Sequence, residues 1–303
     1  MDLAADKCLG MLWGLHVGDC LGAPLEFLPA STHPRLHTEI TGGGKFNWRP
    51  GEATDDTDLM LCLLRSIVSP RSISFEILKR EMLSWLQSEP PDIGTTTIQG
   101  LRNLQAGLPL QNCGVIDEKF QGNGSLMRVA PLSLLSTDAV GYYGEQVTPG
   151  LEAITRLQTR ITHGHQNCID CDEVFVAILR STLSGASRDD IFEVAMQSAQ
   201  SISLPLFERI KKIPQIEWNE LSTSGFCVDT LCAGLWAFLK YESFEDSVIA
   251  VVNRGDDSDS CGAVAGALCG AFYGASSIPE RWLRDLEYRE EIECLLKQKG
   301  FLP

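Results

Sequence analysis

Apolar positions recur at helical spacing along most of the chain, and the period-two alternation that marks a strand is scarce. The first such segment, 3–22, carries Gly10, Gly14, Gly18 and Gly22. A glycine at every fourth position lines small residues up on one helix face, where a second backbone can approach closely. Glycine weakens a helix, so the stripe requires a packing reason. Segments 58–68 and 75–87 show the helical period, as do 151–161, 172–184, 190–202, 228–240, 245–252 and 261–273. This pattern predicts an all-α fold in which helix packs on helix. No low-complexity stretch, charge block or Pro/Gly-rich linker divides the chain, which predicts one compact single-domain helical bundle over 1–303. Trp13, Trp85 and Trp236 fall at apolar helical positions and are expected in the core. Trp48 lies in a loop, where it either lines a cleft or anchors the loop.

Composition narrows the partners. Hydrophobic residues make up 44% of the chain and the formal net charge is -15. So acidic a surface excludes nucleic acid as a partner, because phosphate binding needs clustered Lys and Arg. An acidic protein that binds an anion must find local positive potential elsewhere, in metal ions or helix N-termini. The first seven residues, from Met1 to Lys7, lack a basic stretch and a cleavage pattern, so no signal peptide is expected. No apolar run approaches a membrane span, and no membrane partner is expected. The eleven cysteines are scattered, several of them (Cys62, Cys232, Cys269) in apolar helical stretches where a reduced thiol is a small core residue. A reducing, cytoplasmic location follows as the expectation.

Two acidic clusters stand out, each leading into an apolar helix. The first is Thr54-Asp55-Asp56-Thr57-Asp58, and the second is Asn253-Arg254-Gly255-Asp256-Asp257-Ser258-Asp259-Ser260. Helix capping accounts for one such residue at each helix start. The surplus carboxylates repel one another unless a cation sits among them. In an extended loop Asp257 and Asp259 would point to the same side. Hard oxygen ligands suit Mg²⁺ or Mn²⁺, and two clusters from distant parts of the chain would make a two-metal site. Two over-decorated helix caps on a solvated face would give the same spacing. The pattern is not that of a calcium EF-hand loop.

These residues bring the chain close to a known family. It resembles the ADP-ribosylglycohydrolases through six segments in the family's order: 18–26 (Gly18-Asp19 through Glu26), Thr54-Asp55-Asp56-Thr57, Pro91-Asp92-Ile93-Gly94-Thr95-Thr96, 122–128 (Gly122-Asn123-Gly124-Ser125 through Arg128), Thr162-His163, and Asn253 to Ser260. The resemblance implies a binuclear Mg²⁺ or Mn²⁺ centre in a cleft of an all-α fold. It implies metal ligation by Thr54, Asp55, Asp56, Asp257, Asp259 and Ser260, with Glu26 beside the metals. The general acid or base would be Glu26 or a metal-bound carboxylate such as Asp56 or Asp257. The chain departs from the family's usual Gly-Gly-Asp-Thr-Asp-Thr, because Asp256, Ser258 and Ser260 replace Gly, Thr and Thr. Ser260 keeps a hydroxyl, whereas Asp256 adds charge where the family has none.

The implied activity is metal-dependent hydrolysis that removes ADP-ribose from modified protein side chains, with ADP-ribosyl-arginine foremost. An O-linked, serine-type linkage, a non-catalytic ADP-ribose reader and a hydrolase of another phosphorylated sugar are the alternatives. The partners are then ADP-ribose and an ADP-ribosylated protein.

Gly122-Asn123-Gly124-Ser125 is a turn whose glycines let backbone N–H groups approach an anion. Within the family pattern it is the expected diphosphate loop, with Met127 packing beneath it. Arg128 is either a phosphate contact or, as favoured here, a buried ion-pair partner for one of the Asp residues. His163 is expected at the ligand's phosphates or ribose, although a purely structural histidine fits the same position. Asp92 is a plausible helix N-cap, and the resemblance turns it toward the scissile end of the substrate. Phe226 stands where bacterial arginine-specific relatives tend to carry Tyr; its face could stack on a guanidinium or belong to the core. His163, His165, Cys168 and Cys171 form a zinc-like run, but four ligands on so short a stretch do not match the usual paired spacing. Asp229-Thr230 is read as structural.

Overall fold

A computed structural model describes residues 3–29 and 35–303. The reading of the first seven residues therefore falls partly outside it, at Met1 and Asp2. Among the described residues the long helices are α1 (Leu3–Gly22), α2 (Asp55–Ser66), α3 (Phe75–Gln87), α4 (Thr95–Gln105), α5 (Leu151–Arg160), α6 (Gln166–Leu183), α7 (Arg188–Ile202), α8 (Leu204–Lys212), α9 (Cys227–Lys240), α10 (Phe244–Val252) and α11 (Ser258–Tyr273). The short α12 (Glu280–Leu283) and α13 (Arg289–Gln298) close the chain. The fold is a helical bundle, as the periodicity predicts. It also carries a small sheet of β1 (Ile67–Ser69), β2 (Ser72–Ser74), β3 (Val140–Tyr143) and β4 (Gln146–Pro149), in that spatial order. Only the central β2–β3 pair is parallel.

The predicted boundaries shift for local reasons. The helix expected over 58–68 begins at Asp55, because Thr54 caps it by accepting from the Asp56 N–H at 3.3 Å. It ends at Ser66, where Ile67–Ser69 turns out to pair with β2. The helix expected from 172 begins at Gln166, and the one expected from 261 begins at Ser258. α4, α8 and α13 fall outside the segments read as helical, although each buries an apolar stripe (Leu101 and Leu104, Leu206 and Ile210, Ile292 and Leu296); they are short, and Gly100 and Pro205 punctuate two of them.

The axis of the bundle is the antiparallel pair α1–α11, the most extensive helix contact in the molecule. α1 is apolar nearly all round and buried from Leu9 to Gly22. The glycine stripe has its packing reason here: Gly10, Gly14, Gly18 and Gly22 face the backbone of Gly270, Gly266, Gly262 and Ser258, and a Cβ at any of them would lie closer than 3.0 Å to that backbone. α9, α10 and α6 pack around this pair, and α2 crosses it. The result places the C-terminal end of α1 beside the N-terminal ends of α2 and α11. Trp13, Trp85 and Trp236 are core residues as expected. Trp48 is also buried and packs against Phe46, so it anchors its loop.

Candidate active site

The N-terminal turns of α2 and α11 are capped by the two acidic clusters, and the crossing of α1, α2 and α11 brings them to one place. Ser260 on α11 donates from Oγ to Asp56 Oδ2 on α2 at 3.2 Å. Carboxylate oxygens of Glu26, Asp257 and Asp259 all lie within 4.8 Å of one another. Asp257 is the N-cap residue of α11 and Asp259 lies in its first turn. Their common direction thus comes from a helix start and not from the extended loop expected.

The three acids of the first cluster divide their tasks. Asp55 faces a cleft, Asp56 turns inward to Thr54 and Ser260, and Asp58 accepts from Trp85 Nε1 at 2.8 Å, away from the cleft. Beneath them lies Asp19 on α1, fully buried, whose Oδ2 accepts from the Thr54 and Thr57 N–H groups at 3.2 Å each and from Thr57 Oγ1 at 2.5 Å. Asp19 thereby fixes the start of α2. Sequence reasoning quoted it only within a motif, although an acid inside so apolar a helix is a visible signal.

The cleft has a volume of about 640 Å³. Glu26, Asp55, Asp92, Asp256, Asp257 and Asp259 line it, with Lys45 the one Lys or Arg among the described lining residues. Burial, with Asp92 and Asp257 adding to it, pushes the Glu26 carboxyl up to about 9. Burial and then Asp257 push Asp92 up to about 6. Burial and mutual repulsion hold Asp55, Asp56 and Asp259 well above the usual carboxylate range. Buried oxygens of Glu26 (Oε2), Asp56 (Oδ1) and Asp19 (Oδ1) have no hydrogen-bond partner among the described residues. So many unpaired carboxylate oxygens in so little volume fit a divalent cation, which removes the repulsion and satisfies the oxygens together.

The glycine-rich loop 122–124 adjoins these acids. Gly122, Asn123 and Gly124 line the cleft together with Met127, His163, Ser224 and Gly225. Asn123 Nδ2 donates to Asp257 Oδ2 at 2.9 Å and to Thr230 Oγ1 at 2.8 Å, so the loop holds one acid of the second cluster in place. Thr230, read as structural, is the anchor of that contact. Met127 packs at the floor, where Ser260 Oγ lies 3.7 Å from its sulfur. Ser125 does not line the cleft; its buried side chain turns toward Asp172. Phe226 does not line it either, since it starts α9, pairs its backbone with Gly122 and rests on the core.

Two further expectations are corrected, and the zinc-like run, set aside on its spacing, proves to be split. Asp92 caps no helix, because α4 starts at Thr95 with Gly94 as its cap residue; Asp92 instead lines the cleft. Arg128 does not line the cleft and makes no direct ion pair among the described residues. It is fully buried and donates to Gly124 O, to Gln158 and to Thr162. The zinc-like run is split by its helix: His163 faces the cleft, His165 caps α6 by accepting from the Asn167 N–H, and the Cys168 and Cys171 thiols are buried. Those four residues form no metal-binding group among the described residues.

At the mouth, Phe27 and Phe46 meet edge to face, and Lys45 Nζ lies 3.9 Å from the centre of the Phe27 ring. Sequence reasoning passed over all three. Phe27 is half-exposed with φ of 63°, a rare conformation for a bulky residue, held by a bond from its N–H to Asp256 O at 2.7 Å.

A helical body that gathers six carboxylates around one cleft, with a glycine-rich loop against them, has the arrangement that glycosidic hydrolysis asks for. The chain belongs to the ADP-ribosylglycohydrolase family, whose model matches residues 1–301. It is similar to the ADP-ribosylarginine hydrolase Tri1 of Pseudomonas putida (strain GB-1), with 31% identity over 97% of this chain and 78% of the relative. It is also similar to the ADP-ribosyl-[dinitrogen reductase] glycohydrolase of Rhodospirillum rubrum, with 30% identity over 97% of each chain. A solved structure described as an ADP-ribosylglycohydrolase-related protein complex superposes with a TM-score of 0.79 at 34% identity, covering 99% of both chains. The protein is thus a hydrolase of the ADP-ribosyl glycosidic bond. Among the described residues no helix is long and apolar enough to cross a membrane.

Proposed function

We propose that this enzyme hydrolyses the bond between ribose C1 and an arginine side chain of an ADP-ribosylated protein, using two Mg²⁺ or Mn²⁺ ions. The observation that carries the reading is the convergence of Glu26, Asp257 and Asp259 on one point of the cleft, joined to Asp56 through Ser260. Thr54, Asp55, Asp56, Asp257, Asp259 and Ser260 would hold the ions. Bound there, the ions supply positive charge that orients the ribose hydroxyls and lowers the pKa of a bound water.

This chain's own groups do the rest. Glycosidic cleavage builds positive charge on the sugar carbon and requires a proton at the leaving atom. Glu26 lies outside both helix starts and lines the cleft with one oxygen unpartnered among the described residues, which suits it to give or take that proton; Asp257, also on the cleft, is the second candidate, whereas the inward-turned Asp56 is better suited to hold an ion than to act as acid or base. Gly122, Asn123 and Gly124 would cradle the diphosphate, with the buried Ser125 supporting the loop from behind, and His163 would reach a phosphate or ribose oxygen. Phe226 acts only behind the wall it helps to build.

The arginine linkage draws support from the names of the two bacterial relatives and from the mouth of the cleft. The ring faces of Phe27 and Phe46 already hold one cation there, the Lys45 ammonium. A guanidinium asks for the same surroundings. We place the activity in the cytoplasm, a compartment that suits eleven free cysteines.

The test is release of ADP-ribose from an arginine-modified protein with Mg²⁺, Mn²⁺ or EDTA, beside a serine-linked substrate. Metal-dependent release from arginine is the expected result. Release from serine alone would move the substrate to the O-linked class. Binding of ADP-ribose with no release from either would favour a non-catalytic reader.

A further inference from the structure

Arg128 is one of the largest fully buried side chains in the protein. Its guanidinium offers five N–H groups and no acceptor. Nη1 donates to Gly124 O at 2.7 Å, so it holds the ligand loop from behind. Nε donates to Gln158 Oε1 at 3.3 Å, and Gln158 Nε2 in turn donates to Asp172 Oδ2 at 3.0 Å. The nearest negative charge in this network is therefore reached through an amide. Nη2 donates to Thr162 Oγ1 at 2.7 Å.

The Thr162 hydroxyl has one hydrogen to give. Its oxygen lies 2.8 Å from His163 Nδ1, and among the described residues no other acceptor is hydrogen-bonded to it. Thr162 is fully buried, so a hydroxyl hydrogen without a partner would be left unsatisfied. The guanidinium occupies the hydroxyl oxygen from the other side and drives that hydrogen toward the ring. A ring nitrogen that accepts carries no proton, and a neutral imidazole then bears its hydrogen on the other nitrogen. Burial and the neighbouring Arg128 push the His163 imidazole down to about 3, which keeps it neutral. Nε2 lies on the cleft side, against the glycines of the ligand loop: a Cβ on Gly124 would sit 3.3 Å from it.

We infer that Arg128 is a positioning residue that acts through the Thr162 hydroxyl to fix His163 as the Nε2–H tautomer, so the cleft is met by a donor suited to an acceptor-only group such as a phosphate oxygen. His163 is then a hydrogen-bond donor and never the general base. The same guanidinium holds the Gly124 carbonyl, so one buried cation sets two walls of the ligand site. The identity of the ligand rests on the proposed function, whereas the tautomer is a property of the protein alone.

Ring ¹⁵N shifts of the histidine-labelled full-length protein read the tautomer directly, with His163 assigned by loss of its signals in His163→Gln. The expected wild-type result is a single Nε2–H form from about pH 6 to 8. Thr162→Ser keeps the hydroxyl and should keep that form. Thr162→Val keeps the shape, loses the hydroxyl, and should give a mixture of tautomers with ADP-ribose affinity weakened about tenfold. Arg128→Met should give the same mixture, and Thr162→Val stands in for it where that variant does not fold. An Nδ1–H ring in the wild type overturns the inference, as does a Thr162→Val protein with tautomer and affinity unchanged. A wild type that shows Nε2–H but does not bind ADP-ribose leaves the relay intact and defeats the functional reading instead.

Discussion

Gly18 on α1 and Gly262 on α11 each hold their carbonyl oxygen in the space a Cβ on the other would fill. The two helix backbones touch directly there, one turn below the clusters that line the cleft. Asp19 follows Gly18, and Ser260 lies two residues before Gly262. The separation of α1 from α11 therefore sets how closely Asp19, Asp56 and Asp259 can gather.

Gly18→Ala must push the helices apart, since backbone cannot rotate out of the way as a flexible side chain can. The expected cost is roughly 3 kcal/mol or more, at the upper end for overpacked cores. Gly94→Ala is the control, because a Cβ there meets only Thr97 Oγ1 at an ordinary 3.7 Å. Thermal melts of both should separate them by several degrees. Equal melting temperatures would show that the helix pair is looser than its geometry.

Asp56→Asn should split stability from function. Asp56 is buried beside Asp19 and Asp55 with one oxygen unpartnered among the described residues, and its carboxyl is held well above the usual range. A carboxylic acid raised in the fold favours folding only while protonated, so at neutral pH its charge works against the metal-free protein. The amide should raise the melting temperature in EDTA, shrink the further rise caused by Mg²⁺, and lower turnover by about a hundredfold or more. A variant that melts lower in EDTA and keeps the full response to Mg²⁺ would place the ion elsewhere.

The bundle was legible in the sequence because the residues that decide it are apolar or glycine and repeat at helical spacing. Gly10 through Gly22 announced a close helix partner, although not which one; the matching Gly262, Gly266 and Gly270 were visible only as a small-residue helix. The acidic clusters were legible as clusters, because capping explains one acid and not three. Their meeting was legible through the family resemblance and not from spacing, since it depends on a helix crossing that brings Asp56 to Ser260 across 204 positions of sequence. Arg128 was misjudged for a related reason. A buried guanidinium suggests a carboxylate partner, and here carbonyl, amide and hydroxyl oxygens share the task. Phe27 and Lys45 carried no pattern at all, and only the loop that returns them to the cleft gives them a place.

Acid should destabilise the protein in part through His16. The ring is fully buried on α1, and burial pushes it down to about 3 from 6.5. The unfolded chain takes up a proton below about pH 6.5 while the folded one does not, so stability falls as pH drops through that window toward 3. The slope is about 1.4 kcal/mol per pH unit for one such group. Asp172, pushed up to about 7 by burial, acts in the opposite sense: its contribution is complete below 3.8 and lost as pH rises toward 7. His16→Leu removes the His16 part alone and leaves that of His163, which burial also pushes down to about 3. Urea unfolding of the wild type and this variant at about pH 5 and pH 7 should show a smaller pH difference in the variant. An identical difference would mean that His16 titrates normally in the fold.

Asp256 has two roles that substitutions can separate. Its φ of 61° is the left-handed conformation that favours glycine, and its backbone closes a loop by donating to Leu28 O at 2.8 Å and accepting from the Phe27 N–H at 2.7 Å. Glycine in the related motif meets the same backbone demand without a charge. Asp256→Gly should therefore hold or raise stability by up to about 1 kcal/mol, while Asp256→Ala should fall below it by about 1 kcal/mol. The charge acts on the site separately. It raises the proton affinity of Asp257, which works against a cation, but it also attracts the cation itself. At similar distances the attraction to a doubly charged ion is twice the repulsion between two single charges, so attraction wins. The side chain is exposed, and screening limits the effect. Both variants should weaken Mg²⁺ binding by roughly two- to tenfold, equally in titration calorimetry although their stabilities differ. Tighter binding in both would mean that relief of Asp257 outweighs the lost attraction; weaker binding in alanine alone would mean that backbone strain, and not charge, sets the affinity.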